Sequence, residues 1–196
     1  MTNFPTRRSV LITSAFAAGC VTLDPARAQP PLSATPECHD GDAATLRQTE
    51  GPFFKPSSPE RADLIEPGMG GQPIELVGFV LTRGCKPVPG ALIELWHADA
   101  KGEYDNAGFR LRGHQFADAD GRFRFRTIVP GLYPERTRHF HVKVQPKSGR
   151  VLTTQLYFPG EPGNRKDGLF RRELLIRTAK NAGSLAGRFD FVLDLR

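Results

Sequence analysis

Two histidines at alternate positions, His139 and His141, end the run Gly131-Leu-Tyr133-Pro-Glu-Arg136-Thr-Arg-His139-Phe-His141. A second tyrosine, Tyr104, lies upstream in Trp96-His-Ala-Asp-Ala-Lys-Gly-Glu-Tyr104. The chain has only 3 tyrosines in 196 residues, so two of them in such segments are informative. Two phenolates are hard oxygen donors, and two imidazoles complete a set that suits Fe(III) better than zinc or magnesium. A phenol with an ordinary pKa of ~10 needs a nearby cation to ionise at neutral pH, and a ferric ion supplies it. A His-x-His pair alone is a weak signal, more often surface chemistry than a metal site.

The elements that must position these residues read as strands. The chain holds 20 Gly and 17 Pro, which favours short strands and turns over long helices. Strand signals recur at Ile74–Leu81, Ala91–His97, Arg122–Ile128, His139–Gln145, Val151–Phe158 and Phe189–Leu195. Only Phe170–Ile176 or Lys180–Leu185 reads as a short helix. An all-β antiparallel sandwich with long loops is therefore expected. In His139–Gln145, Phe140, Val142 and Val144 share one face, and His139, His141 and Lys143 share the other. The apolar face must be the core face, so the two histidines point away from the core, about 7 Å apart at Cα by strand rise. Gln155 sits on a face of the next strand that could reach the same cavity.

The N-terminus reads as an export signal. Thr6-Arg7-Arg8-Ser9 resembles a twin-arginine motif, the apolar run Val10–Ala18 follows, and Ala26-Arg27-Ala28 is a cleavage site in the right place. An alternative takes Ala17-Ala18-Gly19-Cys20 as a lipoprotein box. Both readings put the mature protein in the periplasm or outside the cell. The expected division is a signal over 1–28, an extended arm over 29–48 and a sandwich domain over 49–196. Removing the leader leaves Cys38 and Cys85, and two thiols in an oxidising compartment point to one disulfide. The net charge of +6 is scattered, which argues against a nucleic-acid surface, and the apolar run is too short to span a bilayer.

The ordered motifs resemble the intradiol ring-cleavage dioxygenases, the family of protocatechuate 3,4-dioxygenase and catechol 1,2-dioxygenase. They run through Thr49-Glu-Gly-Pro-Phe-Phe54, Glu94-Leu-Trp-His-Ala-Asp99 and Asp120-Gly-Arg-Phe-Arg-Phe-Arg-Thr-Ile128. Pro130-Gly-Leu-Tyr133, Arg136-Thr-Arg-His-Phe-His141 and Thr153-Thr-Gln-Leu-Tyr-Phe158 follow. Together they cover roughly two thirds of the chain. The resemblance implies a non-haem Fe(III) site, with Tyr104 and His139 equatorial and Tyr133 and His141 axial. It makes Tyr133 the ligand released when substrate binds, and it implies substrate-side roles for Arg136 and Gln155. It also implies opening of a catechol by O2 between the two hydroxylated carbons, to a muconate-type diacid. Three departures bear on the substrate. The loop from Tyr133 to His139 is shorter than in protocatechuate 3,4-dioxygenase, Phe140 stands where Ile or Val is usual, and the helical extension of the catechol 1,2-dioxygenases is missing.

Two other classes remain open on sequence. The scaffold could hold another metal for hydrolytic or redox work, or serve as a non-catalytic, transthyretin-like binding module. A homo-oligomer is also open. Tyr157, His97, His114 and Trp96 read as strand, structural or core residues, and Asp118-Ala-Asp-Gly121 reads as a hairpin turn and not a calcium loop.

Overall fold

The strands form two stacked sheets in the computed structural model, which describes Met1, Cys38, residues 43–181 and residues 183–195. The leader motifs Arg7-Arg8 and Ala26–Ala28, the lipoprotein reading of Cys20 and most of the arm lie outside the described residues. Among the described residues no helix is long and apolar enough to cross a membrane. One sheet has the order β4(Arg122–Ile128), β1(Pro73–Thr82), β8(Ser184–Arg188), β7(Arg177–Asn181), with β9(Phe191–Leu193) paired to β1. The other has the order β3(Arg112–Phe116), β2(Leu92–Trp96), β5(His139–Gln145), β6(Leu152–Tyr157).

Period-2 patterning explains the stacking. Ile74, Leu76 and Val80 of β1 and Phe123 and Phe125 of β4 are buried, while Arg122, Arg124 and Arg126 of β4 are exposed. They pack in one core with Ile93 and Leu95 of β2, Phe140, Val142 and Val144 of β5, and Leu156 of β6. Three expectations change. β1 pairs in parallel with both β8 and β9, so the first sheet is mixed and not wholly antiparallel. β3, in the sequence Arg-Gly-His-Gln-Phe, carries no apolar alternation and was not expected; it is held by its ladder to β2 and by Glu60, which bridges to His114. Where a helix is expected over Lys180–Leu185, Lys180 pairs with Leu185 and Asn181 with Ser184 in the β7–β8 hairpin, and Gly183 takes φ 78°. Phe170–Ile176 contains only a single 3-10 turn, Arg172–Leu174.

Cys38 and Cys85 are joined by a disulfide, with Cα atoms 5.7 Å apart. It fastens the N-terminal arm to the β1–β2 turn. A second tie joins the sheets near the end of β2. His97 Nδ1 faces the Ala98 carbonyl at 2.8 Å and Nε2 faces Thr127 Oγ1 on β4 at 2.7 Å. A carbonyl only accepts, so Nδ1 carries the proton and Nε2 accepts from the threonine hydroxyl. Burial lowers the His97 pKa to about 4.

Between the free value of 6.5 and about 4, the unfolded chain binds a proton at His97 and the folded chain does not. Stability from this group is present above pH 6.5 and is lost as pH falls toward 4, at up to about 1.4 kcal/mol per pH unit. Urea unfolding of the metal-free protein and of His97→Gln at pH 7 and pH 5 checks this. The variant should be weaker at pH 7 but show a flatter pH dependence, and equal slopes would remove His97 from the account.

Candidate metal centre

Pairing registers build the site before any side chain is considered. Trp96 lies opposite both Arg112 and His141, and His141 lies opposite Gln155. Arg112, Trp96, His141 and Gln155 therefore form one row across β3, β2, β5 and β6, on the face away from the core. His139 stands in another row opposite Tyr157. The histidines do point away from the core, yet they are only 4% and 2% exposed. A strap of residues 43–54 covers this face. Gln48 N–H donates to the Thr153 carbonyl at 2.8 Å, Thr154 Oγ1 to Leu46 O at 2.7 Å, and Gln155 Nε2 to Thr49 O at 3.0 Å. Lys143, two places after His141, pairs with Glu50 at 2.7 Å and lies 3.3 Å over the Phe54 ring.

The two histidines are held as neutral donors. His139 Nδ1 donates to the Thr137 carbonyl at 2.6 Å, so its Nε2 carries the lone pair. That Nε2 lies 3.1 Å from His141 Nε2. Trp96 stacks on the His141 ring at 5.1 Å and 8°, so it is both a buried residue and the platform that fixes this imidazole. Burial first, then nearby positive groups including Arg136, lowers His139 to about 4 and His141 well below its ordinary value. Among the described residues His141 Nδ1 has no hydrogen-bond partner.

Both tyrosines reach the same place. The Tyr104 ring lies 6.1 Å from His141 and 6.0 Å, edge-on, from Tyr133. Phe53 of the strap stacks on Tyr104 at 4.4 Å and meets Tyr133 edge-on at 5.4 Å. Two glycines let the tyrosine-bearing loops approach. A Cβ on Gly102 would lie 2.0 Å from the Leu132 carbonyl oxygen, and one on Gly131 would lie 2.3 Å from Gly102 N. Burial raises the Tyr104 phenol, and Arg136 and Arg112 oppose that shift. Among the described residues no three His, Cys, Asp or Glu side chains gather to hold a metal. The donors here are two imidazoles and two phenols, a set that fits a hard trivalent cation. Two nitrogens 3.1 Å apart also match adjacent ligands meeting near a right angle, each about 2.1 Å from one ion, by the bond lengths of imidazole sites.

Arg136 and Gln155 stand beside this group in one network. Arg136 Nε donates to Asp167 Oδ2 at 2.8 Å, and Nη2 to Gln155 Oε1 at 2.6 Å. The Thr137 N–H also donates to Asp167, at 3.0 Å. Burial alone would raise the Asp167 carboxyl, but Arg136 and the Leu169 and Thr137 N–H groups hold it below its ordinary value. Asp167 was not singled out in the sequence. It sits in Arg-Lys-Asp-Gly, which reads as any exposed turn. Tyr157 donates to Gln48 Oε1 at 2.6 Å, and burial pushes its phenol up to about 12, so it stays a protonated donor. His114 is spent on the Ser58 carbonyl at 2.9 Å, and Asp118 on the N–H groups of Asp120 and Arg122 in its own turn. A cavity of about 500 Å3 opens beside Tyr133 and Arg136, with Pro134, Glu161, Pro162 and Lys166 on its walls. A larger groove of about 650 Å3, over Phe79, Phe116 and Arg122, contains none of these tyrosines or histidines.

Known proteins share this arrangement of chain. The family model described as Dioxygenase matches residues 49–195. The protocatechuate 3,4-dioxygenase beta chain of Burkholderia cepacia is 35% identical over 152 residues, covering 63% of this chain and 65% of that one. The dioxygenase domain of a dioxygenase–carbohydrate-binding fusion from Streptomyces sp. SirexAA-E is 52% identical, with a TM-score of 0.77, covering 79% of this chain and all of that one. The 3-chlorocatechol 1,2-dioxygenase of Rhodococcus opacus 1CP is 26% identical, with a TM-score of 0.71, covering 76% of this chain and 72% of that one. This chain spans between half and two thirds of the length of the curated relatives it matches.

The Arg136–Asp167 pair gives a direct test of the network. Asp167 is almost wholly enclosed, so Asp167→Ala leaves a part-buried guanidinium short of its anion and should cost about 3 kcal/mol in urea unfolding. Removing Asp120 from its exposed pair with Arg122 should cost no more than about 0.5 kcal/mol. Equal losses in the two variants would contradict the network.

Proposed function

Because this chain belongs to the intradiol ring-cleavage dioxygenase family, we propose that it opens a catechol-type diol with O2 to a muconate-type diacid. We also propose non-haem Fe(III) as its cofactor, held by Tyr104, Tyr133, His139 and His141. The observation that carries this is the approach of two imidazole Nε2 atoms to 3.1 Å, with Tyr104 beside His141 and packed edge-on against Tyr133. When bound, the ferric ion supplies the Lewis acidity that holds a catecholate and activates it toward oxygen.

The protein's own groups do the rest. Tyr133 lies on the cavity wall, in the loop Gly131–Arg136, where Glu135 takes the left-handed φ of 63°. As the phenolate, its oxygen would take a proton from a catechol hydroxyl and become the neutral phenol. Arg136 shares that cavity wall, and its guanidinium is fixed by Asp167 and Gln155, so it meets substrate negative charge without first reorganising. Gln155 does not need to touch substrate to matter, since its Oε1 holds Arg136 and its Nε2 holds the strap. The strap, Trp96 and Phe53 keep water from the histidine face. The binding-module alternative gives no account of why these four donors gather. We further propose export through the twin-arginine route. The leader motifs support it, and so does the Cys38–Cys85 disulfide, a bond that persists in oxidising compartments.

Oxygen uptake with catechol, protocatechuate and hydroxyquinol, measured beside iron content, tests the reading. Tyr133→Phe should keep much of its iron and lose turnover. Arg136→Ala should keep iron and fall about 10²–10³-fold in rate, with Arg136→Lys recovering only part, because an ammonium lacks the planar donor fork. A near-wild-type rate in Arg136→Ala on the best substrate would contradict the role given to Arg136. Absence of oxygen uptake by the iron-loaded wild type on all three diols would count against the catechol reading.

A further inference from the structure

Arg112 is the member of the cross-strand row that the proposed chemistry leaves without a role. It is 2% exposed, and among the described residues no carboxylate pairs with it. Its guanidinium closes instead on two backbone carbonyls. Nη1 donates to Phe53 O at 2.6 Å, while Nε and Nη2 both donate to Asp105 O, at 3.1 and 3.0 Å. Phe53 belongs to the strap, and Asp105 is the residue after Tyr104. The rings that these two carbonyls carry with them, Phe53 and Tyr104, are the pair stacked at 4.4 Å.

A rigid planar fork holds two carbonyls from separate nitrogens and fixes the angle between them. An ammonium can also bond two carbonyls, as Lys55 does with those of Ala107 and Gly108, but from one freely rotating nitrogen that fixes no such angle. A guanidinium buried without a directly paired anion is costly, and fixed dipoles aimed at it, with the charges of Asp105 and Glu94 acting through space, offset the lost water. The two carbonyls are those dipoles. We propose that Arg112 is a positioning residue for the metal centre, which keeps Tyr104 beside His141 by gripping the two segments that form the Phe53–Tyr104 stack. The inference rests on the Fe(III) reading above.

Fe(III) affinity by chelator competition, together with the tyrosinate-to-iron absorption band, tests it in wild type, Arg112→Lys, Tyr104→Phe and the double variant. Arg112→Lys should lose about 10–100-fold in affinity, the usual effect of removing a group that orients a metal ligand, and should shift the band. Added to Tyr104→Phe, which keeps the ring stack and removes only the ligand oxygen, Arg112→Lys should change affinity by less than about threefold. A merely structural arginine would weaken the protein equally in both backgrounds. Wild-type affinity and band in Arg112→Lys, or losses that multiply in the double variant, would overturn the proposal. If Arg112→Lys does not fold, Phe53→Leu takes its place, with the same loss and the same non-additivity expected and the same two results overturning it. A wild-type protein that binds no Fe(III) and shows no such band sinks the iron reading, and this inference with it, before any variant is compared.

Discussion

Everything in this site depends on one contact, the 3.1 Å approach of the His139 and His141 ring nitrogens. Two neutral imidazoles that turn lone pairs toward each other repel, so the contact is favourable only with a proton or a cation between them. A proton on His141 Nε2 would satisfy His139, and with either a proton or a cation there the buried Nδ1 of His141 has no partner among the described residues. Protonating both rings is worse, because burial holds both below their ordinary pKa. A shared cation lets both lone pairs donate at once, and two phenolates would balance its charge. The β5 backbone, the Thr137 carbonyl and the Trp96 ring each remove a way for the pair to turn aside.

Keeping that contact dry requires a second buried layer on the outer face of a sheet. The strap supplies it, and the strap is secured by polar groups more than by apolar area. Gln155, Thr154 and Arg112 hold its carbonyls, while Lys143 grips Glu50 and Phe54. Charge is thus distributed asymmetrically about the centre. Two guanidiniums, Arg112 and Arg136, act through their charge on the phenol of Tyr104, and both oppose the effect of burial on it. One is anchored by carbonyls and leaves the strap and Tyr104 segments fixed. The other is anchored by Asp167 and Gln155 and lies on the cavity wall. The same chemical group therefore serves two ends of the site through different partners.

How far the sequence reaches can be seen strand by strand. β4 and β5 were legible to their end residues, because one face of each is packed in the core and alternation records that. The second buried face of β5 was not, since what covers it comes from residues 43–54, far away in the chain. β3 and the β7–β8 hairpin were missed because polar strands held by ladder bonds carry no hydrophobic period. The tyrosine and histidine set was visible through its motifs, and the structure packs Tyr104 against His141 and Tyr133, and His139 against His141. Asp167, Phe53 and Arg112 were invisible as site residues. Their roles exist only in tertiary contacts with backbone carbonyls, aromatic faces and a partner arginine, which leave no local pattern.

The central claim is that four named side chains share one ferric ion. Anomalous diffraction at the iron absorption edge, from crystals of iron-loaded protein, tests it most directly. The account predicts a single strong peak within bonding distance, about 2 Å, of both histidine Nε2 atoms and of the Tyr104 and Tyr133 oxygens. A peak bound by other residues, or none near the His139–His141 pair in protein that contains stoichiometric iron, would contradict it.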